Sequence, residues 1–338
     1  MKKKRQYILL AGILLLAAFL RLSNSELVLF DGDESRDSFR TMNLVENGVL
    51  PGLGSELITG GNLGPLEYYL LAFPYMISGD PEFLTGFVAL LNIVAVFLLY
   101  LLGRDFFNVK VGLIAAALFA FSPPAVLYSK KIWNPYFLPL FSVLFFYCVF
   151  KVRLHKEKKY ILGALPAFAC MLQFHISAAF LSPFVLLLYS PGLFQKEVKK
   201  HTLFGLALFV LLFLPLLAYE VKHNFSNTKN ILSGTETLVS KKSESLPEGS
   251  FFLDLIEYSS VAASNINLIP GDSLKDQCLQ LTYSGGFLNA SQIGVFLMAL
   301  AYLLFCVISK NRHEISLYLL GWFFLPFILY FFLTTFIT

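Results

Sequence analysis

The sequence predicts an all-α integral membrane protein with about nine transmembrane helices and juxtamembrane helices in the first extracytoplasmic loop. Of its 338 residues, 57% are hydrophobic and 14% are charged, whereas a soluble domain carries roughly 25% charged residues. The apolar residues form long blocks, as in helices that satisfy their backbone hydrogen bonds within lipid. The basic residues lie in short clusters between these blocks, which argues against a nucleic-acid partner.

The predicted spans follow from the rule that a membrane helix needs about 20 mainly apolar residues. The first covers 7–22, and because Arg21 closes it without a small-residue cleavage site, an anchor is favoured over a signal peptide. The stretch 160–189 is too long for one span, so we predict two short spans, 160–174 and 176–189, that meet at His175. The other predicted spans are 84–102, 111–128, 135–152, 203–219, 293–308 and 315–336.

The segment 64–78 is apolar but short, so it is predicted to lie at the membrane interface or to dip into the membrane. If it does not span, the positive-inside rule places the N-terminus in the cytoplasm together with the most basic short loops. Those inner loops are 103–110, 151–159, 195–201 and 309–314, and the outer segments are 23–63, 129–134, the His175 hairpin and 220–292.

The first outer loop carries a run of charged residues directly after the first span. On a helix, Asp33, Arg36, Asp37 and Arg40 fall within one arc of about 100°. This pattern predicts an amphipathic helix on the membrane, capped by Asp33, whose charged face turns toward water or a cavity. A solvated polar face with local ion pairs would give the same pattern, so the residues alone leave the role of the helix open.

Further polar residues lie at the same predicted face. Lys130 and Lys131 oppose the general charge bias, so they either snorkel to the interface or bind a lipid phosphate or pyrophosphate. His175 marks the hairpin, where a hydrogen-bonded structural histidine is the alternative to a binding role. Glu220 and His223 follow the seventh predicted span.

The order of these motifs resembles the multi-spanning C-type glycosyltransferases, in particular family 39 with the protein O-mannosyltransferases and lipid A aminoarabinose transferases. The matching features are Asp33-Glu34 after the first span, Gly-Pro-Leu-Glu-Tyr-Tyr at 64–69, Ser-Lys-Lys-Ile-Trp-Asn at 129–134 and Gln-Phe-His at 173–175. Two departures concern the second outer turn, where Lys130 replaces an arginine and Asn134 replaces an acidic residue.

The resemblance implies an enzyme of the cell membrane that transfers a sugar from a polyprenyl-phosphate-linked donor to a lipid, glycan or protein acceptor on the extracytoplasmic face. Its catalytic carboxylates would be Asp33 and Glu34, which would also hold a divalent cation such as Mg²⁺ or Mn²⁺ if one is required. The residues expected to bind the donor phosphate are Arg36, Arg40, Lys130 and Lys131. The residues expected to line the sugar and acceptor pocket are Glu67, Tyr68, Tyr69, Trp133, Asn134, His175, Glu220 and His223.

The predicted organisation is a glycosyltransferase-like core at 1–223 with its first outer loop at 23–63, an outer loop at 224–292 and two C-terminal helices at 293–338. Two other classes of protein remain as alternatives. A lipid or sugar transporter or flippase would place ionisable residues near mid-membrane, often on repeated halves, whereas here they collect at helix ends. A non-catalytic scaffold of envelope assembly would keep the fold and tolerate loss of Asp33.

Overall fold

The computed structural model describes residues 3–23, 30, 32–57, 60–188 and 196–243. These residues form helices and no strand apart from one isolated bridge between Glu56 and Asn62, which confirms the predicted all-α class. Three 3-10 helices cover Asn134–Phe137, Lys158–Tyr160 and Ile176–Leu181. The α-helices are α1 (Lys3–Leu22), α2 (Gly32–Asn47), α3 (Leu66–Tyr75), α4 (Pro81–Phe106), α5 (Val109–Phe121), α6 (Pro123–Tyr128), α7 (Leu138–Arg153), α8 (Ile161–Phe174), α9 (Ser182–Leu187), α10 (Lys196–Lys222) and α11 (Ser226–Ser243).

Four helical segments in the described part of the chain are long and apolar enough to cross a membrane. They are Lys3–Leu22, Pro81–Phe106, Asn134–Arg153 and Val198–Lys222. These four segments indicate that the protein crosses the membrane several times. The last two predicted spans, 293–308 and 315–336, lie outside the described residues, so the count of nine stays a prediction.

The predicted span 111–128 is divided in two, because α5 ends at Phe121 and α6 begins at Pro123. A proline has no backbone N–H and disfavours helical geometry in the residue before it, so a helix commonly stops there. Arg21 of α1 donates hydrogen bonds to the carbonyls of Phe119 and Ala120 at 2.9 and 2.8 Å. Carbonyls in the last turn of a helix lack partners within the helix, so the buried guanidinium of Arg21 both closes α5 and fastens α1 to it.

The chain between α8 and α10 reverses direction. Gly205 of α10 lies against Ile161 and Leu165 at the start of α8, and Gln173 at the end of α8 donates to the Leu212 carbonyl at 2.9 Å. These contacts make α8 and α10 parallel, so the chain returns between the end of α8 and the start of α10. The return starts as the 3-10 helix Ile176–Leu181, which rises about 2.0 Å per residue against about 1.5 Å for an α-helix. The predicted second short span is therefore not one continuous α-helix.

The first outer loop brings α2 against α3. With 10 residues, α3 is about 15 Å long, too short to cross a hydrocarbon core of about 30 Å. The buried face of α2 is polar, since it consists of Glu34, Asp37 and Thr41, while Phe39 is 59% exposed. The charged arc thus faces the protein rather than open water.

The prediction that Asp33 caps α2 is wrong, because the helix begins at Gly32 and Asp33 lies in its first turn. A carboxylate there interacts favourably with the partial positive charge of the helix N-terminus, which accounts for Asp33 and Glu34 at the start of α2.

The orientation of the bundle can be tested at the basic loop between α7 and α8. Lys156 is exposed in that loop, and Leu50 is 74% exposed in the first outer loop. We expect a membrane-impermeant maleimide to label Leu50→Cys in intact cells, and to label Lys156→Cys only after permeabilisation, because charge bias places the Lys156 loop inside. The parent chain, with its four native cysteines, sets the background. Labelling of Lys156→Cys in intact cells would overturn the predicted orientation.

Candidate functional site

Arg36 is the centre of an ionic network on α2. Its Nε and Nη2 donate to the two carboxylate oxygens of Asp37 at 2.8 and 3.1 Å, and its Nη1 donates to Asp33 Oδ1 at 2.6 Å. The Asp37 side chain is fully buried, whereas that of Asp33 is 44% exposed. A two-point bond of this kind fixes the plane of the guanidinium, so the buried Asp37 sets the position from which Arg36 holds the accessible Asp33.

Glu67 of α3 lies behind this network. Ser55 Oγ stands 3.4 Å from both Arg36 Nη2 and Glu67 Oε2. Burial raises the pKa of the Glu67 carboxyl well above its ordinary value, and the negative charge of Asp37 adds to the shift. Burial also raises the pKa of Asp37, although its hydrogen bonds and charge interaction with Arg36 oppose that effect. Asp37 and Glu67 thus both lie near the partly exposed Arg36, and Ser55 lies between Arg36 and Glu67.

Tyr68 and Arg40 extend the network along α2 and α3. The Tyr68 hydroxyl donates to Asp37 Oδ1 at 3.2 Å and accepts from Arg40 Nη1 at 3.0 Å. Arg40 Nη1 also donates to the Gly54 carbonyl at 2.9 Å, which ties the helix to the first outer loop. Burial raises the pKa of the Tyr68 phenol, so the hydroxyl keeps its proton at neutral pH and remains a donor to Asp37.

The first outer loop is closed by a short antiparallel contact. Gly54 N donates to the Leu63 carbonyl at 2.8 Å, and Leu63 N donates to the Ser55 carbonyl at 2.9 Å. A Cβ at Gly54 would lie 2.1 Å from the Gly64 carbonyl oxygen, so the close approach requires a glycine. This contact places Ser55 between α2 and α3.

The second outer turn joins the network through one of its two lysines. Lys131 Nζ lies 3.2 Å from Glu34 Oε1, and the Glu34 side chain is nearly fully buried. Lys130 Nζ instead donates to the Ser23 carbonyl at the end of α1, at 2.5 Å. The two neighbouring cations therefore contact different parts of the first outer loop.

Three other residues predicted to line the pocket make contacts outside the network on α2. They are Trp133 and Asn134 in the second turn and His175 after α8. Asn134 Nδ2 donates to the Phe174 carbonyl at 2.6 Å and is buried, so it fastens the turn to the end of α8. Trp133 packs edge-on against Tyr136 with ring centroids 5.3 Å apart. His175 Nδ1 lies 2.7 Å from Ser177 Oγ within its own turn.

The junction of α10 and α11 is fastened to the first outer loop. Asn227 Oδ1 accepts from Asn62 N at 2.6 Å, and Asn227 Nδ2 donates to the Asn62 carbonyl at 3.1 Å. Glu220 Oε1 accepts from both the backbone N and the hydroxyl of Thr228, so it holds the start of α11. His223 stacks on Tyr219, with ring centroids 4.0 Å apart. Glu220 and His223 therefore shape the junction, and within the described residues neither forms a hydrogen bond or ion pair with the network on α2.

The structure brings one group of the predicted site residues together and leaves the other outside it. Tyr69 lies outside the network, because its hydroxyl donates to the Pro51 carbonyl at 3.0 Å. The residues joined by hydrogen bonds or ion pairs around α2 are Asp33, Glu34, Arg36, Arg40, Glu67, Tyr68 and Lys131. The residues with contacts elsewhere are Tyr69, Lys130, Trp133, Asn134, His175, Glu220 and His223.

Sequence reasoning left out Asp37 and Ser55 as site residues. Asp37 was visible on the charged arc of α2, and its position one residue after Arg36 was the available signal. Ser55 carried no signal, because its role depends on the contact between Gly54 and Leu63. Within the described ranges, no group of three His, Cys, Asp or Glu side chains is arranged to hold a metal ion. Asp33 and Glu34 contact separate cations, so we assign no step to a metal.

Comparison with known proteins gives one family match. Residues 62–219 match the family model described as dolichyl-phosphate-mannose-protein mannosyltransferase, a glycosyltransferase domain of the C type. The matched segment runs from α3 to residue 219 in α10 and therefore contains Glu67, Tyr68 and Lys131, whereas α2 with Asp33 precedes it. A search of curated proteins finds no match to this chain.

Proposed function

We propose that this chain transfers a sugar from a polyprenyl-phosphate-linked donor to an acceptor on the extracytoplasmic face of the cell membrane, because residues 62–219 match a family of C-type membrane glycosyltransferases. The observation that carries this proposal is the accessible Asp33 carboxylate, held by Arg36 in front of the buried acids Asp37 and Glu67. Buried ionisable groups are costly and cluster at functional sites, so a purely solvated face does not account for this arrangement.

The chemical step needs a base, an oriented acceptor and stabilisation of the leaving phosphate. The acceptor hydroxyl oxygen attacks C1 of the sugar while the bond from C1 to the phosphate oxygen breaks, and the hydroxyl proton passes to a carboxylate. Asp33 is the candidate base, because its side chain is 44% exposed, whereas those of Glu34 and Asp37 are buried, and because Arg36 restricts its position. The electron pair of the broken bond leaves with the polyprenyl phosphate, whose charge requires cations.

Cations stand on both sides of the acidic cluster. Arg36 contacts Asp33 directly, and Lys131 reaches Glu34 from the second outer turn. Lys130 Nζ contacts the end of α1, where a carrier phosphate arriving from the lipid would meet the protein. A lipid-linked donor can approach such a site sideways, because its chain stays in the membrane while its phosphate reaches the helix ends.

The two lysines of the second turn provide a test of donor binding. We expect the Lys130→Ala, Lys131→Ala double variant to raise the KM for a polyprenyl-phosphate sugar by about ten-fold or more, because a charge-assisted hydrogen bond contributes about 1.5–3 kcal/mol. The measurement is transfer by the purified chain over a range of donor concentrations, with thermal unfolding recorded in parallel.

Lys229→Ala is the matched control for charge, since Lys229 is exposed on α11 and its side chain has no contact in the network on α2. This control should keep the parental KM. A double variant with parental transfer at every donor concentration would remove both lysines from donor binding.

The proposed function itself is tested by comparing cell-surface glycans and lipid-linked sugars with and without the gene. We expect the deletion to remove one glycan modification and to let its lipid-linked donor accumulate. Unchanged glycans and unchanged lipid-linked sugars would contradict a transferase and favour a scaffold.

A further inference from the structure

A cleft lined by both polar and apolar side chains lies beside the ionic network, between α2 and the first outer loop. It encloses about 360 Å³ and is lined by Arg40 and Asn43 from α2 and by loop residues that include Glu56 and Asn62. Small-ligand pockets span roughly 300–1,000 Å³, so this cleft has room for a group the size of one or two sugars. None of the residues predicted for the sugar and acceptor pocket lines it.

The polar groups in the cleft include both donors and acceptors of hydrogen bonds. Among the described residues, no group donates a hydrogen bond to the Glu56 carboxylate or to Asn62 Oδ1. Asn62 Nδ2 donates to the Gly54 carbonyl. On the α2 side, Arg40 bonds to the described residues through Nη1 alone, and Asn43 uses its Oδ1 to accept from Asn47. Two acceptors and two donors therefore converge on the cleft without protein partners in the described part of the chain.

This set of groups suits a neutral ligand rich in hydroxyls. Each sugar hydroxyl both donates and accepts, so Glu56 and Asn62 can accept from it while Arg40 and Asn43 donate to it. The Glu56 carboxylate offsets the charge of Arg40 and disfavours a phosphate at this position. Val49, Pro51 and Leu53 give the cleft an apolar side that can contact the C–H groups of a sugar ring.

We propose that this cleft is a subsite for a sugar unit of the acceptor, so that the acceptor is a glycan or a glycolipid. Arg40 connects the cleft to the acidic cluster, because it donates to the Tyr68 hydroxyl at 3.0 Å, which in turn donates to Asp37 at 3.2 Å. The inference rests on the proposed transfer reaction, and it moves Arg40 from the donor phosphate to the acceptor.

The test measures binding of small glycosides to the purified full chain without donor. Methyl glycosides of mannose, glucose and N-acetylglucosamine serve as probes, with saturation-transfer NMR in a detergent that has no sugar headgroup. We expect a signal for at least one glycoside, and about a five- to ten-fold weaker affinity for it in Glu56→Gln, which loses a hydrogen bond to a charged group. Val49→Trp fills the cleft from an exposed position and should abolish the signal.

Glu82→Gln removes an exposed acid at the start of α4 and is the control, which should bind like the parent. A parent that binds no glycoside, or variants that bind as well as the parent, would overturn the subsite. Displacement of a bound glycoside by a serine- and threonine-rich peptide would also overturn it, in favour of a protein acceptor. Glycoside binding by a parent that transfers no sugar would support the subsite and contradict the proposed reaction, so the two failures are distinguishable.

Discussion

Replacing Asp33 with asparagine is expected to reduce sugar transfer by about 100-fold or more, because an amide cannot take the proton of the acceptor hydroxyl. The fold should be unchanged, since a polar replacement at a position with 44% side-chain exposure usually shifts stability by less than about 0.5 kcal/mol. The measurement is turnover of a polyprenyl-phosphate sugar by the purified variant, with its membrane level and unfolding temperature compared with the parent.

Ser35→Ala is the control for Asp33→Asn, because Ser35 lies in the same turn, is exposed and, among the described residues, bonds only the Gly32 carbonyl, at 3.1 Å. It should keep parental turnover. Glu34→Gln should also lower transfer, because it weakens the ion pair that holds Lys131 at 3.2 Å. Parental turnover by Asp33→Asn would end the assignment of Asp33 as the base and revive the scaffold interpretation.

Replacing Asp37 with alanine should remove both transfer and part of the stability. It leaves Arg36 without its two-point partner and Tyr68 without an acceptor, and breaking a buried ion pair costs about 3–5 kcal/mol. Arg36 is partly exposed, so the lower end of that range, about 3 kcal/mol, is the expected loss. Thermal unfolding and transfer assays on the purified chain give the two readouts.

The double variant Arg36→Met, Asp37→Leu separates the two effects. Apolar side chains of similar size restore stability at such sites, but the bond from Arg36 to Asp33 is then lost, so we expect a stable protein that does not transfer sugar. Thr41→Val is a nearby control that loses only a bond to the Asp37 carbonyl at 2.8 Å and should stay active. A stable, active Asp37→Ala would show that the buried acid does not position Arg36.

The sequence predicted the helical class and most of the long helices because composition and block length depend on local residues alone. Hydropathy predicted one continuous span at 111–128, whereas the structure divides it at Pro123. The high apolar content of the stretch favoured one span in spite of the proline. Hydropathy likewise predicted 176–189 as an α-helical span, whereas the structure begins this return as a 3-10 helix. Such differences concern backbone geometry, to which hydropathy is insensitive.

The candidate site was partly predictable for a similar reason. Asp33, Arg36 and Arg40 share one face of one helix, and helical periodicity is enough to group them. Glu67 was selected only through the resemblance, and its contact with Ser55 depends on how the first outer loop folds back. The sequence also could not predict the orientation of that face, because a charged arc normally turns toward water, whereas here it turns toward α3.

The bond between Asn62 and Asn227 has a consequence for the order of synthesis. These residues are 165 positions apart, so at about 5–20 residues per second the second arrives roughly 10–30 s after the first. The bonds among Arg36, Asp37 and Tyr68 join residues close in sequence and can form once α2 and α3 have been synthesised. The acidic cluster of a nascent chain can therefore form early, whereas the loop beside it is fastened at Asn62 only after α11 has been synthesised.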